Sequence, residues 1–147
     1  MFVVDTNVLV YAADERAAEH DRCRGLLESW RSQSSAWYLT WGVCYEFLRV
    51  VTHPRVFRRP WSVRDAHQFL AAVLESPGLG MLSPTHRHAA VLRTVIDQVP
   101  LLAGNLVHDA TTAVLMREHG IRRICTRDTD FHRFPFVEPI DPMTGEP

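Results

Sequence analysis

The amino-acid sequence predicts an α/β fold, a three-layer sandwich in which helices flank a mostly parallel central sheet. Short apolar runs, such as residues 2–4 and 37–39, alternate with longer stretches whose apolar residues recur every three or four positions. Runs of the first kind suit strands buried on both faces of a parallel sheet, and the alternation is typical of βαβ units. The length of 147 residues is that of one domain. We expect this domain to cover residues 1–142, with a short tail at 143–147.

The elements of the first half follow from local patterns. The apolar run at residues 2–4 ends at Asp5, after which Thr6 and Asn7 can cap a short helix that extends to residue 13. A second helix is expected over 17–32, a strand over 37–39 and a third helix over 40–51. The His-Pro pair at 53–54 ends that helix, because proline disfavours the helical conformation of the residue before it.

The second half carries clearer helix signals. Ser62 and Asp65 resemble a capping box at the start of a helix over 62–75. Asn105 is a candidate N-cap for a helix over 106–119, which Gly120 ends. The remaining predicted elements are a strand at 80–82, a helix over 85–99, a strand over 121–125, a helical bend at 126–131 and an edge strand from Val137.

The composition excludes several chemistries. Hydrophobic residues make up 46% and charged residues 22% of the chain, as in ordinary globular proteins. All 16 basic residues are arginine. A chain without lysine cannot be a P-loop nucleotide-binding protein or a pyridoxal enzyme, since both need a lysine side chain. Phosphoryl-aspartate chemistry is disfavoured for the same reason, and because Asn7 stands where it would need a second acid.

The sequence predicts a cytoplasmic protein that makes no membrane contact. The three cysteines have no Cys-x-x-Cys spacing and therefore fit neither a disulfide scaffold nor a zinc site. The N-terminus lacks the basic and apolar regions of a signal peptide. No apolar segment reaches the roughly 20 residues that a transmembrane helix requires.

Five acidic residues stand where packing alone does not favour an acid. Asp5 ends the first buried strand, Glu46 lies in an almost wholly apolar helix, and Asp109 lies about one turn into another helix. Asp128 and Asp130 follow a strand. Because ligands of parallel α/β sheets bind at the carboxyl ends of the strands, these acids are expected to meet at one edge.

Each acid also has a purely structural interpretation. Asp5 can cap the following helix, and Arg49 can pair with Glu46 three residues before it. Asp109 can interact favourably with the helix dipole, which is worth about 0.3–1 kcal/mol. The last two acids can be solvated turn residues. These alternatives remain open from the sequence alone.

Taken together, the acids indicate a metal site. Two carboxylates about 4 Å apart repel by roughly 4 kcal/mol at an effective dielectric constant near 20, and a divalent cation removes that cost. Hard oxygen donors without a cysteine or histidine set favour Mg²⁺ or Mn²⁺. Such an ion can lower the pKa of bound water and bind a phosphate oxygen, which suggests metal-dependent phosphodiester hydrolysis.

The segments that carry these acids resemble a known family. They are Val-Asp-Thr-Asn-Val-Leu at 4–9, Glu-Phe-Leu-Arg at 46–49, Asn-Leu-Val-His-Asp-Ala at 105–110 and Thr-Arg-Asp-Thr-Asp-Phe at 126–131. Their order and separations resemble the PIN-domain family, specifically the VapC-type toxins of bacterial toxin–antitoxin modules. The resemblance covers nearly the whole chain.

The resemblance implies an endoribonuclease that uses Mg²⁺ or Mn²⁺, cuts structured RNA such as tRNA or rRNA, and inhibits translation. It further implies a homodimer and a cognate VapB-type antitoxin whose tail blocks the acidic site. It assigns Asp5, Asp109 and Asp128 to the metal, and Glu46 to a second metal or to orienting the attacking water. The remaining implied roles are assistance by Asp130 and hydrogen-bonding support by Asn7 and Thr126.

RNA binding by a chain of net charge −1 requires local basic patches. Two arginine clusters are candidates, and either can equally be solvated surface charge: Arg55, Arg58 and Arg59, and Arg122, Arg123, Arg127 and Arg133. Trp41, Phe57 and Trp61 are candidates for stacking on unpaired bases, with burial in the core as the more common role of such residues. His108, next to Asp109, is interpreted as a structural or supporting residue.

Two further functions remain open. A PIN-like nuclease of ordinary RNA processing would carry the same acids outside a toxin module. A binding module without catalysis would be expected to lack one or more of the four acids, and all four are present.

Overall fold

The computed structural model describes residues 1–147 and confirms the predicted sandwich. Its centre is a five-stranded parallel sheet, and helices cover both faces. The strands are β1 (Phe2–Val4), β2 (Trp37–Thr40), β3 (Leu79–Leu82), β4 (Arg123–Cys125) and β5 (Glu138–Ile140). The helices are α1 (Thr6–Ala13), α2 (His20–Ser32), α3 (Trp41–Thr52), α4 (Val63–Leu74), α5 (His88–Gln98) and α6 (Asn105–Glu118), with a 3₁₀ helix at Thr129–Arg133.

The order of the strands creates a crevice beside β1. The sheet order is β3-β2-β1-β4-β5, so the chain extends the sheet on one side of β1 and then crosses to the other side. Val3 is paired with Tyr38 of β2 and with Ile124 of β4. In open parallel sheets, ligands bind where the strand order reverses, outside the carboxyl ends of the strands. Here that point lies after β1 and β4.

The sheet separates two apolar layers. Val3 and Val4 are fully buried neighbours on β1 that belong to different layers, as the alternation of side chains along a strand requires. On the side of Val4, helices α1 to α4 pack around residues such as Trp37 and Phe47. On the side of Val3, α5, α6 and the 3₁₀ helix enclose Ile124 and its neighbours. No helix combines the length and the apolar character needed to cross a bilayer.

Several predicted caps and boundaries are corrected. Asp5, rather than Thr6 or Asn7, is the N-cap of α1, because its carboxylate accepts a hydrogen bond from the backbone N–H of Thr6. Gly104 is the N-cap of α6, and Asn105 is already the first residue of that helix. The backbone of Gly104 has φ 58°, a conformation that favours glycine. Helix α2 begins at residue 20 instead of 17, and α5 at residue 88 instead of 85.

A buried carboxylate explains why α5 begins late. Glu118, in the last turn of α6, accepts hydrogen bonds from the backbone N–H (2.7 Å) and the hydroxyl of Thr85. Its other oxygen lies 2.8 Å from Nδ1 of His88. Arg87 donates to the backbone carbonyl of Glu118 at 2.6 Å. The segment before α5 is therefore committed to α6 and is not available for a further turn of α5.

The stability of the protein is expected to fall in acid through Glu118. Burial raises the pKa of this carboxyl, but the hydrogen bonds from Thr85 and His88 lower it more, from 4.5 to about 2. A depressed pKa of an acid stabilises the folded state above the unfolded-state value, and this contribution is lost as the pH falls through 4.5 toward 2. Glu118→Gln should lower Tm near neutral pH, and the gap to the wild type should narrow across that acid range.

Thermal unfolding at several pH values measures this gap. Glu75→Gln is the matched control, because Glu75 is exposed and its carboxylate makes no hydrogen bond. A difference between Glu118→Gln and the wild type that stays constant down to about pH 3 would show that the carboxylate charge is not what stabilises the α5–α6 contact.

Candidate acidic site

Four of the five singled-out acids line one open cavity at the carboxyl edge of the sheet. Asp5, Glu46, Asp109 and Asp128 surround a volume of about 260 Å³. They come from four parts of the chain: the end of β1, the middle of α3, the second turn of α6 and the loop after β4. The other lining residues are Thr6, Asn7, Val10, Tyr11, Val50 and His108. We call this volume the acidic cavity.

Asp5 is the most firmly held of the four. Its Oδ1 accepts a hydrogen bond of 2.7 Å from the backbone of Thr6. Its Oδ2 accepts bonds from Nδ2 of Asn7 at 2.7 Å and from the hydroxyl of Thr126 at 2.6 Å. Burial raises the pKa of Asp5, although the hydrogen bonds from Thr126 and from the backbone of Thr6 act in the opposite direction. Asp5 is therefore both a helix cap and a wall of the acidic cavity.

Thr126 links the ends of β1 and β4. Its hydroxyl donates to Asp5 and accepts from Nδ2 of Asn7 and from the backbone N–H of Asp128, both at 2.9 Å. Only 2% of Thr126 is exposed. One buried hydroxyl thus makes three hydrogen bonds and fixes two of the four acids relative to each other.

Glu46 is paired with Arg49, as its structural interpretation predicts. Nε of Arg49 donates to Oε2 of Glu46 at 2.7 Å, and Nη2 of Arg49 donates to Oε1 at 2.5 Å. The hydrogen bond from Arg49 lowers the pKa of Glu46, against the opposite effect of burial. This is the only ion pair that involves any of the five singled-out acids.

Asp109 carries an unfavourable charge that no hydrogen-bonding partner in the protein offsets. It is the fifth residue of α6, beyond the first turn in which the helix dipole would stabilise an acid. Its carboxylate accepts no hydrogen bond from the protein, unlike those of the other three acids. Burial raises its pKa to about 6, and the negative charges of Asp128, Asp5 and Asp130 contribute to this rise.

Asp128 and Asp130 occupy different positions. Asp128 lines the acidic cavity and is the N-cap of the 3₁₀ helix, and its Oδ1 accepts a hydrogen bond of 2.9 Å from the backbone of Asp130. Asp130 is partly buried and does not line the cavity, although its charge acts on Asp109.

Two lining residues of interest lie outside the acidic set. Tyr11 faces the cavity from α1, although it belongs to none of the acid-bearing motifs of the sequence. Its spacing of four residues from Asn7, on the same helix face, is the signal that could have identified it. His108 lines the cavity too, and its charge when protonated would favour the ionised forms of Asp5, Glu46 and Asp109.

The arginine clusters are only partly free. Arg127 pairs with Glu19 and lies 3.5 Å from Asp141, and Arg122 pairs with Glu138 at 2.8 Å. No arginine of either cluster lines the acidic cavity. The cluster members that make no ion pair are Arg55, Arg58, Arg59, Arg123 and Arg133.

The three candidate stacking residues separate into core and surface. Phe57 is buried, and Trp61 packs edge-on against Phe57 and Phe47. Trp41, in contrast, is 51% exposed and lies beside Tyr45, which is 68% exposed, with ring centroids 6.2 Å apart. The expectation of burial is therefore wrong for Trp41.

The donor chemistry of the acidic cavity fits a hard divalent cation. Four carboxylates line it, and the pKa of two of them is raised because burial and mutual repulsion oppose their charge. As the side chains stand, no three histidine, cysteine, aspartate or glutamate residues are close enough to hold one metal ion. Two of the four carboxylates are held by partners within the protein, Asp5 by Thr126 and Glu46 by Arg49.

A family model and two curated relatives indicate the same family for this chain. The family model described as PIN domain matches residues 2–137. Ribonuclease VapC48 of Mycobacterium tuberculosis is 34% identical over 141 residues, which cover 96% of this chain and 97% of that protein. Ribonuclease VapC43 of the same organism is 36% identical over 146 residues, which cover 99% and 98%.

Two solved structures show the same fold. Mycobacterium tuberculosis VapC20, described as a sarcin–ricin loop cleaving toxin, matches with a TM-score of 0.64 at 18% identity over 93% of this chain and 97% of that one. VapBC2 from Rickettsia felis, bound to a DNA fragment from its promoter, matches with a TM-score of 0.65 at 19% identity over 95% and 96%.

Removing the hydroxyl of Thr126 should loosen the site and the fold. Thr126→Val keeps the shape of the side chain but leaves the N–H of Asp128 without its partner, and we expect a loss of about 1–3 kcal/mol in the free energy of unfolding. Thr126→Ser keeps the hydroxyl and should lose less than about 1 kcal/mol, from one buried methyl group. Urea denaturation measures both, and equal losses would mean that the hydrogen bonds contribute nothing.

Neutralising Asp109 should stabilise the folded protein. At pH values above its raised pKa of about 6, Asp109 is ionised in an environment that opposes its charge, whereas below 3.8 it is protonated in the folded and unfolded states alike. Asp109→Asn should therefore gain about 1–2 kcal/mol near neutral pH, after allowance for solvent screening. The gain should disappear as the pH falls toward 4.

Urea denaturation in EDTA at several pH values tests this expectation. Asp97→Asn serves as the control, since Asp97 is an exposed aspartate of α5 outside the acidic cavity. A destabilised Asp109→Asn protein near neutral pH would contradict the electrostatic description of the cavity.

Proposed function

The chain belongs to the PIN domain family, and on this premise we propose that it is a metal-dependent endoribonuclease of the VapC type, the toxin of a toxin–antitoxin module. The family match at residues 2–137 supports the proposal, as do relatives named ribonuclease that are 34–36% identical over nearly the whole chain. The resemblance predicted from the motifs is confirmed. The proposed site of action is the cytoplasm.

The observation that carries the proposal is the gathering of four carboxylates in one cavity. Asp5, Asp109, Asp128 and Glu46 would hold Mg²⁺ or Mn²⁺, whose oxygen preference they match. When bound, the ion supplies Lewis acidity and lowers the pKa of a coordinated water. None of the three cysteines lines the cavity, so no thiol nucleophile is available there.

The residues of the chain position these acids and orient the attacking water. Thr126 and Asn7 fix the carboxylate of Asp5 by hydrogen bonds of 2.6–2.7 Å. The carboxylate of Asp109 accepts no hydrogen bond within the protein and is therefore free to turn toward a ligand. We assign Glu46 to a second ion or to orienting the water, and Asp130 to assisting Asp109 through its charge.

The exposed aromatic pair of α3 supports RNA as the substrate. Trp41 and Tyr45 lie on the helix that carries Glu46, and both present most of their surface to solvent. Aromatic side chains bind unpaired bases by stacking, which suits loops in folded RNA. We propose that the enzyme cuts structured RNA, either tRNA or rRNA, and thereby inhibits translation.

We further propose a homodimer and a cognate VapB-type antitoxin as partners. Among the solved structures of the same fold is a VapBC assembly bound to promoter DNA, and the 34–36% identical relatives carry VapC names. The net charge of the acidic cavity suits an antitoxin segment that offers a cation to it.

Cleavage of RNA should require the metal and Asp109. We expect a labelled pool of tRNA and rRNA to give discrete bands with Mg²⁺ or Mn²⁺ and none with EDTA. Asp109→Asn should lower the rate at least about 10²-fold, the size of effect seen when one group that stabilises transition-state charge is removed. This variant is preferable to a change at Asp5, whose carboxylate also holds the fold.

The control is again Asp97→Asn, which should cleave at the wild-type rate. Equal cleavage by wild type and Asp109→Asn would place the activity elsewhere or in a contaminant. No cleavage by folded, antitoxin-free protein with either metal would favour a binding module instead.

A further inference from the structure

Arg49 is the one arginine that contacts the carboxylates of the acidic cavity. It forms two parallel hydrogen bonds with Glu46, of 2.7 and 2.5 Å, so both oxygens of Glu46 are engaged. Arg49 itself does not line the cavity. Its side chain is 60% exposed, whereas that of Glu46 is 22% exposed. The guanidinium therefore holds Glu46 from the solvent side.

The ion pair between Arg49 and Glu46 is weak enough for a competing ligand to separate it. An exposed ion pair three residues apart on one helix contributes little stability, because water and salt screen it. Glu46 also faces three other carboxylates across the cavity. A divalent cation between them would attract Glu46 more strongly than one exposed guanidinium does, because it carries twice the charge in a more enclosed place.

Once it is separated from Glu46, Arg49 can bind another anion. Its planar fork of N–H donors fits a phosphate in the same two-bonded manner as a carboxylate. Arg49 also follows Tyr45 and Trp41 at intervals of four residues, so the three side chains form one strip along the exposed face of α3. We call this the α3 strip.

Resting on the proposed function, we propose that Arg49 exchanges partners: it holds Glu46 until a divalent cation takes that carboxylate, and then binds a phosphate of the RNA along the α3 strip. Arg49 is then a substrate-binding residue, and its guanidinium is released from Glu46 only when the metal is bound. It would couple RNA binding to metal binding.

The exchange gives Arg49 opposite effects on two ligands. Removing Arg49 frees Glu46 and should tighten metal binding, whereas it deprives the RNA of a phosphate contact and should weaken RNA binding. A residue that only supported the local structure would weaken both when removed. The two signs together therefore identify the exchange.

The direct test follows the guanidinium by NMR. The Nε–Hε signal of Arg49, assigned by its loss in Arg49→Lys, should shift when Mg²⁺ is added to the full-length wild-type protein. Isothermal titration calorimetry should show Mg²⁺ binding about two- to fivefold tighter to Arg49→Gln, the gain expected from removing an exposed ion pair. Arg49→Lys keeps the positive charge but loses the fork, and it should also bind Mg²⁺ more tightly.

Kinetics supply the second readout. With a labelled tRNA pool at saturating Mg²⁺, Arg49→Gln should raise the apparent KM at least about tenfold and change kcat little, as expected for a lost hydrogen bond to a charged group. The matched control is Arg24→Gln, which removes a similarly exposed arginine that pairs with Glu28 on α2. It should change neither Mg²⁺ affinity nor KM.

Three results would overturn the proposal. One is an unmoved Nε–Hε signal while calorimetry shows Mg²⁺ bound, and another is a loss of both Mg²⁺ and RNA affinity in Arg49→Gln. The third is tighter Mg²⁺ binding in Arg49→Gln but not in Arg49→Lys, which would mean repulsion by charge alone. A wild-type protein that binds no Mg²⁺ would overturn this proposal and the metal-dependent nuclease together, and so differs from all three.

Discussion

Repulsion among the carboxylates of the acidic cavity is the constraint that the surrounding structure has to satisfy. Each acid is placed by a different element, so no single helix or strand carries the whole cost. Asp5 is stabilised by three hydrogen bonds and Glu46 by an arginine. Asp109 has neither, and burial together with the neighbouring negative charges raises its pKa. The hydroxyl of Thr126 is central to this arrangement, because it ties the end of β1 to the loop after β4.

The acids of the cavity come from both apolar layers of the molecule. Asp5 caps α1, and Glu46 lies on α3, on the side of the sheet where α1 to α4 pack. Asp109 belongs to α6 on the opposite side. Both layers rest on the same short strands, so the relative position of these acids depends on how well each layer packs against β1. This gives the buried residues of β1 a role in the site that they do not touch.

Much of this arrangement could be predicted from the sequence, because it depends on local patterns and on topology. The buried run at Phe2–Val4 predicted a parallel strand. The rule for carboxyl edges predicted that the five acids meet at one edge, and all of them except Asp130 line the acidic cavity. What the sequence could not show were contacts between distant residues. Glu118 takes the hydroxyl of Thr85 and so shortens α5.

The same limit applies at the surface. The sequence left open whether Arg127 holds a phosphate or is solvated surface charge, and the structure pairs it with Glu19, which is far away in the sequence. Trp41 is exposed because it starts α3 on the outer side of the helix, a property that its apolar character alone does not reveal.

The unfavourable charge of Asp109 has an evolutionary consequence, because the residue lowers the stability of the fold while it serves the proposed activity. Selection for stability alone would accept a neutral residue at this position. The aspartate is therefore preserved only by selection for activity. An inactivated descendant would accumulate as an intact protein rather than as misfolded material, and could still occupy the partners of the active form.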